Sequence, residues 1–231
     1  MKTRHEHLQE LNKLHRTHYH PLQHEIHHTH KISRKTLFYI KEYGEHSNIP
    51  KTILKEGLKI MLLASFISLS GGLALEHVKT LFISIIPLVI LMPTLNDMIG
   101  DYGSIVSSRF STMLFEGKIK KEWYKNEELN TLFVQIIIIS QITAILSATV
   151  SLIISWFSNY SLDFLTALKI YFIASLDVAL LVIILFFVSV FAGLYYFGKQ
   201  EDPNNFLIPI TTSIADFGNM IILAFLIVLL F

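Results

Sequence analysis

Residues 165–197 read LTALKIYFIASLDVALLVIILFFVSVFAGLYYF, thirty-three positions with only two charges, Lys169 and Asp177. A helix needs about 20 mostly apolar residues to cross about 30 Å of hydrocarbon. This stretch is therefore a transmembrane helix, and at this length it tilts or extends beyond the bilayer. Working outward, residues 132–157 and 206–231 qualify on either side. Nearer the amino terminus, 57–75 and 80–99 qualify too, parted by a short link at 76–79. The expected fold is all-α and membrane-integral, with five transmembrane helices in residues 57–231 and a polar arm at 1–56.

Composition agrees with this division. The chain is 52% hydrophobic and 16% charged, where a soluble domain carries about 25% charged residues. Ten of its eleven histidines precede residue 50. The absence of cysteine excludes disulfide scaffolds, Fe–S clusters and thiolate zinc sites. A net charge of +1, not gathered on one face, gives no footing for nucleic acid. The opening MKTRHEHLQE lacks the apolar core of a secretory signal.

Lys and Arg beside the spans set orientation. The arm carries Arg34, Lys35, Lys41, Lys51 and Lys55; the segment after the second span carries Arg109, Lys118, Lys120, Lys121 and Lys125. The 76–79 link has Lys79 alone, the 158–164 link has no cation, and Lys199 falls between the last two spans. An odd number of spans with the amino terminus cytoplasmic and the carboxyl terminus outside satisfies these counts, and the plasma membrane is the expected location.

Charged groups in a bilayer cost several kcal/mol, so they face a bundle interior or a water-filled path. Asp97 and Asp101 lie late in the second span, Asp177 in the fourth and Asp216 in the fifth, none with a cation one turn away. Such acids are either cation sites or groups bonded to neighbouring helices. Asp97, Asp101, Ser104 and Ser108 share one helical face with Gly100 beside it; Thr212, Asp216 and Asn219 share another. Both stripes offer oxygen and no soft ligand, which suits Mg2+, Ca2+ or Mn2+ better than copper or zinc. Pro87 and Pro93 fall within the second span and Pro209 near the start of the fifth, freeing the carbonyls of Ile83, Val89 and Asn205. Asp202-Pro203 reads as an N-cap with proline at the first helical position. In the third span, Ser140, Ala144, Ser147, Ala148, Ser151 and Ser155 form a small-residue stripe for close helix packing. Gln135 and Gln141 read as interhelical hydrogen-bond partners.

Two segments carry a family likeness. PTLNDMIGDYGSIVSSRFSTMLFEGKI (93–119) resembles the proline–small–leucine, glycine–asparagine, serine–arginine–leucine–serine signature of the MgtE-type family, which includes bacterial Mg2+ channels and the magnesium solute carriers. GKQEDPNNFLIPITTSIADFGNM (198–220) is similar to that family's DPDN, proline, threonine, glycine–aspartate segment. The resemblance implies a homodimer in the lipid bilayer with a pore at or near the subunit interface. It makes Asp216 the central cation-selecting residue, with Asn96, Gly100, Asp101 and Arg109 on the other motif. Two positions depart from the pattern: Asp101 stands for the motif's asparagine and Ala215 for the glycine before the last aspartate. The arm of about 50 residues is too short for the regulatory domains of the bacterial channels.

That arm reads HEHLQELNKLHRTHYHPLQHEIHHTH. Leu8, Leu11 and Leu14 recur at helical spacing, and Pro21 opens a second short helix placing His20, His24, His27 and His28 on one face. His24 and His28 at i and i+4 form a two-point chelate for Zn2+, Ni2+ or Co2+, a candidate regulatory metal site. The run from His24 to His28 also spells H-E-x-x-H, the zinc-protease pattern, but in so histidine-rich a tract, with no third ligand or cleft, it reads as coincidence. The expected function is passage of a divalent cation, Mg2+ first and Mn2+ or Co2+ next, through an acidic pore. Asp216, Asp97, Asp101, Asn96, Thr212 and Asn219 line it, the first three as metal ligands, and no enzymatic chemistry is expected. The alternative is a membrane metal sensor that signals through the histidine arm.

Overall fold

The structure is a computed structural model that describes residues 3–12, 21–34, 36–37, 40, 49–119, 123–198 and 202–231, without the side chains of 49–53 and 55–57. Among the described residues there are seven α-helices, one 3-10 turn and no strand. Two short helices, α1 (Arg4–Asn12) and α2 (Pro21–His30), belong to the arm. Five long ones follow: α3 (Ile49–Ser84), α4 (Ile86–Phe115), α5 (Glu127–Phe157), α6 (Phe164–Gly198) and α7 (Pro203–Leu230).

Among the described residues, four stretches are long and apolar enough to cross a membrane: Leu58–Ser84 within α3, and all of α5, α6 and α7. The chain is thus an integral membrane protein, with helix as the only regular structure apart from one 3-10 turn among the described residues. The remaining long helix, α4, has the length, but it carries Asn96, Asp97, Asp101 and Arg109. It nevertheless packs against α5, α6 and α7 and contributes Leu88, Leu91, Leu95, Ile99, Val106 and Phe110 to the shared core.

Two boundaries differ from the sequence reading. Residues 76–79 are not a link, because α3 runs unbroken to Ser84. Glu76 and Lys79 pair one turn apart on its surface, so the charges that suggested a loop satisfy each other on a helix. The chain turns instead at Ile85, and Pro87 sits in the first turn of α4, where a missing N–H costs nothing. Pro87 is therefore a helix start and not a break. Its carbonyl accepts a hydrogen bond from Ser151 Oγ on α5 at 2.6 Å. Pro93 and Pro209 are internal to their helices, as expected.

Without water to drive apolar burial, helices in a bilayer associate through close packing and small residues. On α5, Ser140, Ala144, Ala148, Ser151 and Ser155 are buried, while Gln141 bonds Ser175 on α6. Along α6, every fourth residue from 177 to 193 is buried, forming a ridge of Asp177, Leu181, Leu185, Ser189 and Gly193. A Cβ on Gly193 would lie 2.8 Å from the Phe110 ring of α4. Ser189 Oγ lies 3.0 Å from Ser107 Oγ. A Cβ on Gly103 of α4 would meet Leu185 at 3.2 Å and Thr211 of α7 at 3.0 Å. Finally, a Cβ on Gly218 of α7 would clash with Leu181 Cδ2. The ridge is thus seated between α4 and α7.

Helix α7 begins as expected: Asp202 caps it, accepting from Asn204 N at 3.0 Å, and Pro203 follows. Helix α5 is capped by Asn126, which accepts from Leu129 N at 2.8 Å, with Glu127 and Glu128 in its first turn. In the arm, α1 and α2 pack together around Leu11, Ile26, Ile32 and Leu37. Leu14 and His20 lie outside the described residues.

Candidate functional site

The polar stripes of α4 and α7 come together. A cavity of about 430 Å³ lies between them, lined by Met92, Pro93, Asn96, Asp97, Gly100, Asp101 and Ser104 of α4 with Thr212 and Asp216 of α7. Their four-residue spacing is what puts these side chains on one wall each. Asp97, Asp101 and Thr212 are exposed, and Asp216 is half-buried. None of the three aspartates has an ion-pair partner among the described residues.

Asp216 is the best-held of them. Its Oδ1 accepts a hydrogen bond from Asn96 Nδ2 at 2.6 Å, and its Oδ2 accepts one from Ser68 Oγ at 2.9 Å. Asn96 is fixed in turn, because its Oδ1 accepts from Asn219 Nδ2 at 3.0 Å. Neutral donors from two other helices thus orient the carboxylate without cancelling its charge. Asn219 itself is fully buried behind Asn96 and is not part of the cavity wall. Ser108, on the expected stripe, is exposed but lies outside the wall as well.

Ser68 is the residue that sequence reading missed. It reaches Asp216 because α3 comes very close to α7 one turn later, at Gly71. A Cβ there would lie 3.0 Å from both Phe217 Cα and Met220 Sδ. The neighbouring serines Ser65 and Ser70 merely bond back to Met61 O and Phe66 O. Nothing in the sequence separates Ser68 from them except its one-turn distance from that glycine.

No three His, Asp or Glu side chains among the described residues converge as a shared metal site. The walls therefore present spaced oxygens and not a tight cage. In the arm, the His24 and His28 rings are 4.5 Å apart, centroid to centroid. His27 Nδ1 is 2.6 Å from Ile32 O, and His7 Nδ1 is 2.9 Å from His30 Nε2.

Comparison with known proteins adds one match. The family model MgtE, described as a divalent cation transporter, matches residues 92–226. That stretch includes every residue of the cavity wall and more than half the chain. No curated protein and no solved structure matches the chain.

Proposed function

The chain belongs to the MgtE family of divalent cation transporters, and from that premise we propose that it conducts Mg2+ across the plasma membrane through the acidic cavity between α4 and α7. The observation that carries this reading is the Asp216 carboxylate, held by Asn96 and Ser68 at the wall it shares with Asp97 and Asp101. Mg2+ dehydrates reluctantly and keeps several waters when bound. Spaced carboxylates, Thr212 and Ser104 in a cavity of about 430 Å³ suit a hydrated ion. Asp216 supplies the selecting charge, and Asp97 and Asp101 concentrate cations at the entrance. Asn96 and Asn219 position Asp216. Mn2+ and Co2+ are the competing cargoes.

The five long helices all cross in this reading, α4 included. Exposed Asp97 and Asp101 cannot face lipid without a cost of several kcal/mol each. A second copy of the chain covering this face would turn the open cavity into a closed path with two Asp216 carboxylates. This supports a homodimer with its pore at or near the subunit interface. With the amino terminus cytoplasmic, a divalent ion moving inward gains about 4–5 kcal/mol per 100 mV of inside-negative potential, twice the unit-charge value. Flow then needs no chemical fuel. The histidine arm, with His24 and His28 as its metal-binding pair, is the regulatory element of this proposal.

The test is Mg2+ uptake into liposomes under an imposed inside-negative potential. Wild type takes up Mg2+, Asp216→Ala does not, and Asp216→Asn shows whether charge or hydrogen bonding carries the role. Normal uptake by a properly inserted Asp216→Ala would remove Asp216 from the mechanism. No wild-type uptake of Mg2+, Mn2+ or Co2+ would favour the sensor alternative.

A further inference from the structure

The arm holds a second pair of imidazoles, and this one joins two helices. His7 Nδ1 on α1 lies 2.9 Å from His30 Nε2 at the end of α2, twenty-three residues away in sequence. The rings meet edge to face, 5.2 Å between centroids. His7 is buried and His30 half-buried. By contrast, His24 and His28 sit one turn apart on α2 alone. An ion bound there would brace a single helix, whereas one bound between His7 and His30 would fasten α1 to α2.

The two helices need such a fastening. They are 9 and 10 residues long, and isolated helices shorter than about 12–15 residues are marginal in water. The core between them is Leu11, Ile26, Ile32 and Leu37. Units this small usually rely on a metal, a disulfide or a partner chain, and the chain has no cysteine.

We propose that His7 and His30 form a Zn2+ site that staples α1 to α2. Zinc–nitrogen bonds of about 2.0–2.1 Å at a tetrahedral angle put two ligand nitrogens roughly 3.3–3.4 Å apart. The observed 2.9 Å is that of a hydrogen bond, so the rings need to part by only about 0.4–0.5 Å to take the ion between them. Without metal, one ring donates its N–H to the other. With metal, both facing nitrogens offer lone pairs, and the donating ring carries its hydrogen on its outer nitrogen instead, so no net proton is lost. Among the described residues no third His, Asp or Glu converges here, so water completes the coordination from the half-exposed His30 side. Imidazole nitrogen suits Zn2+, while Mg2+ takes oxygen ligands and does not compete.

The site is also close to where the arm meets the membrane bundle. Arg34 lies between the core residues Ile32 and Leu37 in sequence. Its Nη1 is 3.2 Å from where a Cβ on Gly117 would lie, just past the carboxyl end of α4. Gly117 has a φ of 70°, so its lack of a side chain serves both the left-handed turn and this approach. A guanidinium at a helix carboxyl end is favourably placed in the helix dipole.

Neither the site nor its test depends on the transport reading. The chain has no native cysteine, so spin labels go on Arg4→Cys and Glu25→Cys, both exposed positions, one on each helix. The full labelled chain is placed in lipid nanodiscs, diluted with unlabelled chain. Zn2+ should narrow the distribution of α1–α2 distances, and equal Mg2+ should not. The narrowing should persist with His24→Gln and His28→Gln together. In His7→Gln or His30→Gln the Zn2+ concentration for half the effect should rise tenfold or more. No narrowing by Zn2+, an unmoved midpoint in both His7→Gln and His30→Gln, or loss of the effect in the His24→Gln, His28→Gln chain overturns the proposal. If His7→Gln parts the helices before metal is added, His30→Gln decides alone.

Discussion

Replacing Gly218 by alanine tests whether the distance between α6 and α7 positions the proposed cation site. The new Cβ would overlap Leu181 Cδ2, well inside the about 3.5–4.0 Å of two carbons in contact. Leu181 must therefore leave its rotamer or the helices must separate. Overpacking of this kind costs about 1–3 kcal/mol. Gly72→Ala on α3 is the matched control, because nothing lies within 4 Å of its added Cβ. Both substitutions gain about 1 kcal/mol of helix propensity, so the difference between them isolates the clash. At about 2–4 °C per kcal/mol for a chain of this size, Gly218→Ala should melt about 2–12 °C below Gly72→Ala in the same detergent. Leu181→Ala should narrow that gap in the double variant, since it removes the atom struck. Gly218 lies between Asp216 and Asn219, so uptake at equal protein density should fall with stability. Equal melting of the two glycine variants, or a double variant no better than the sum of its parts, would refute the packing argument.

Ser68→Ala should weaken apparent cation affinity about tenfold or more, because a hydrogen bond to a charged acceptor contributes about 1.5–3 kcal/mol and 1.4 kcal/mol is a factor of ten. Ser70→Ala, whose hydroxyl only bonds Phe66 O, should leave affinity unchanged in the same titration. Asn126→Ala should lower stability by about 1 kcal/mol through loss of the α5 cap, read as a drop in Tm with Mg2+ affinity retained.

Much of this architecture is legible in the sequence because lipid imposes strict demands. Runs such as 165–197 can hardly be anything but membrane helices, and Asp202-Pro203 marks the start of α7 by local chemistry alone. The two polar stripes were readable for the same reason: carboxylates at i and i+4 on an apolar helix require a shared explanation. What escaped depended on partners. Glu76 and Lys79 resemble a loop until they are seen to pair on one helix. Pro87 resembles a kink until Ile85 is found to be the turn. Ser68 has no local mark of its role, which arises from the close approach at Gly71. Asn219 shares a stripe with Asp216, yet the seating of α7 against α4 and α6 turns it inward, where it serves Asn96.

The choice of partners for Asp216 explains how a carboxylate can be both tolerated and useful at this depth. An ionised side chain at the centre of a membrane helix costs about 2.5–3.5 kcal/mol on insertion scales. Two hydrogen bonds to a charged acceptor contribute about 3–6 kcal/mol, enough to offset it. A lysine or arginine in place of Asn96 would meet the same cost, but it would also cancel the charge and occupy the cavity proposed as the cation path. Asn96 and Ser68 do neither: each donates one hydrogen bond, carries no net charge and is tied to a different helix. The carboxylate is oriented, meets no cationic side chain among the described residues and is open to the cavity. An acid held only by neutral donors keeps its attraction for a passing ion, whereas an acid in an ion pair has already spent it.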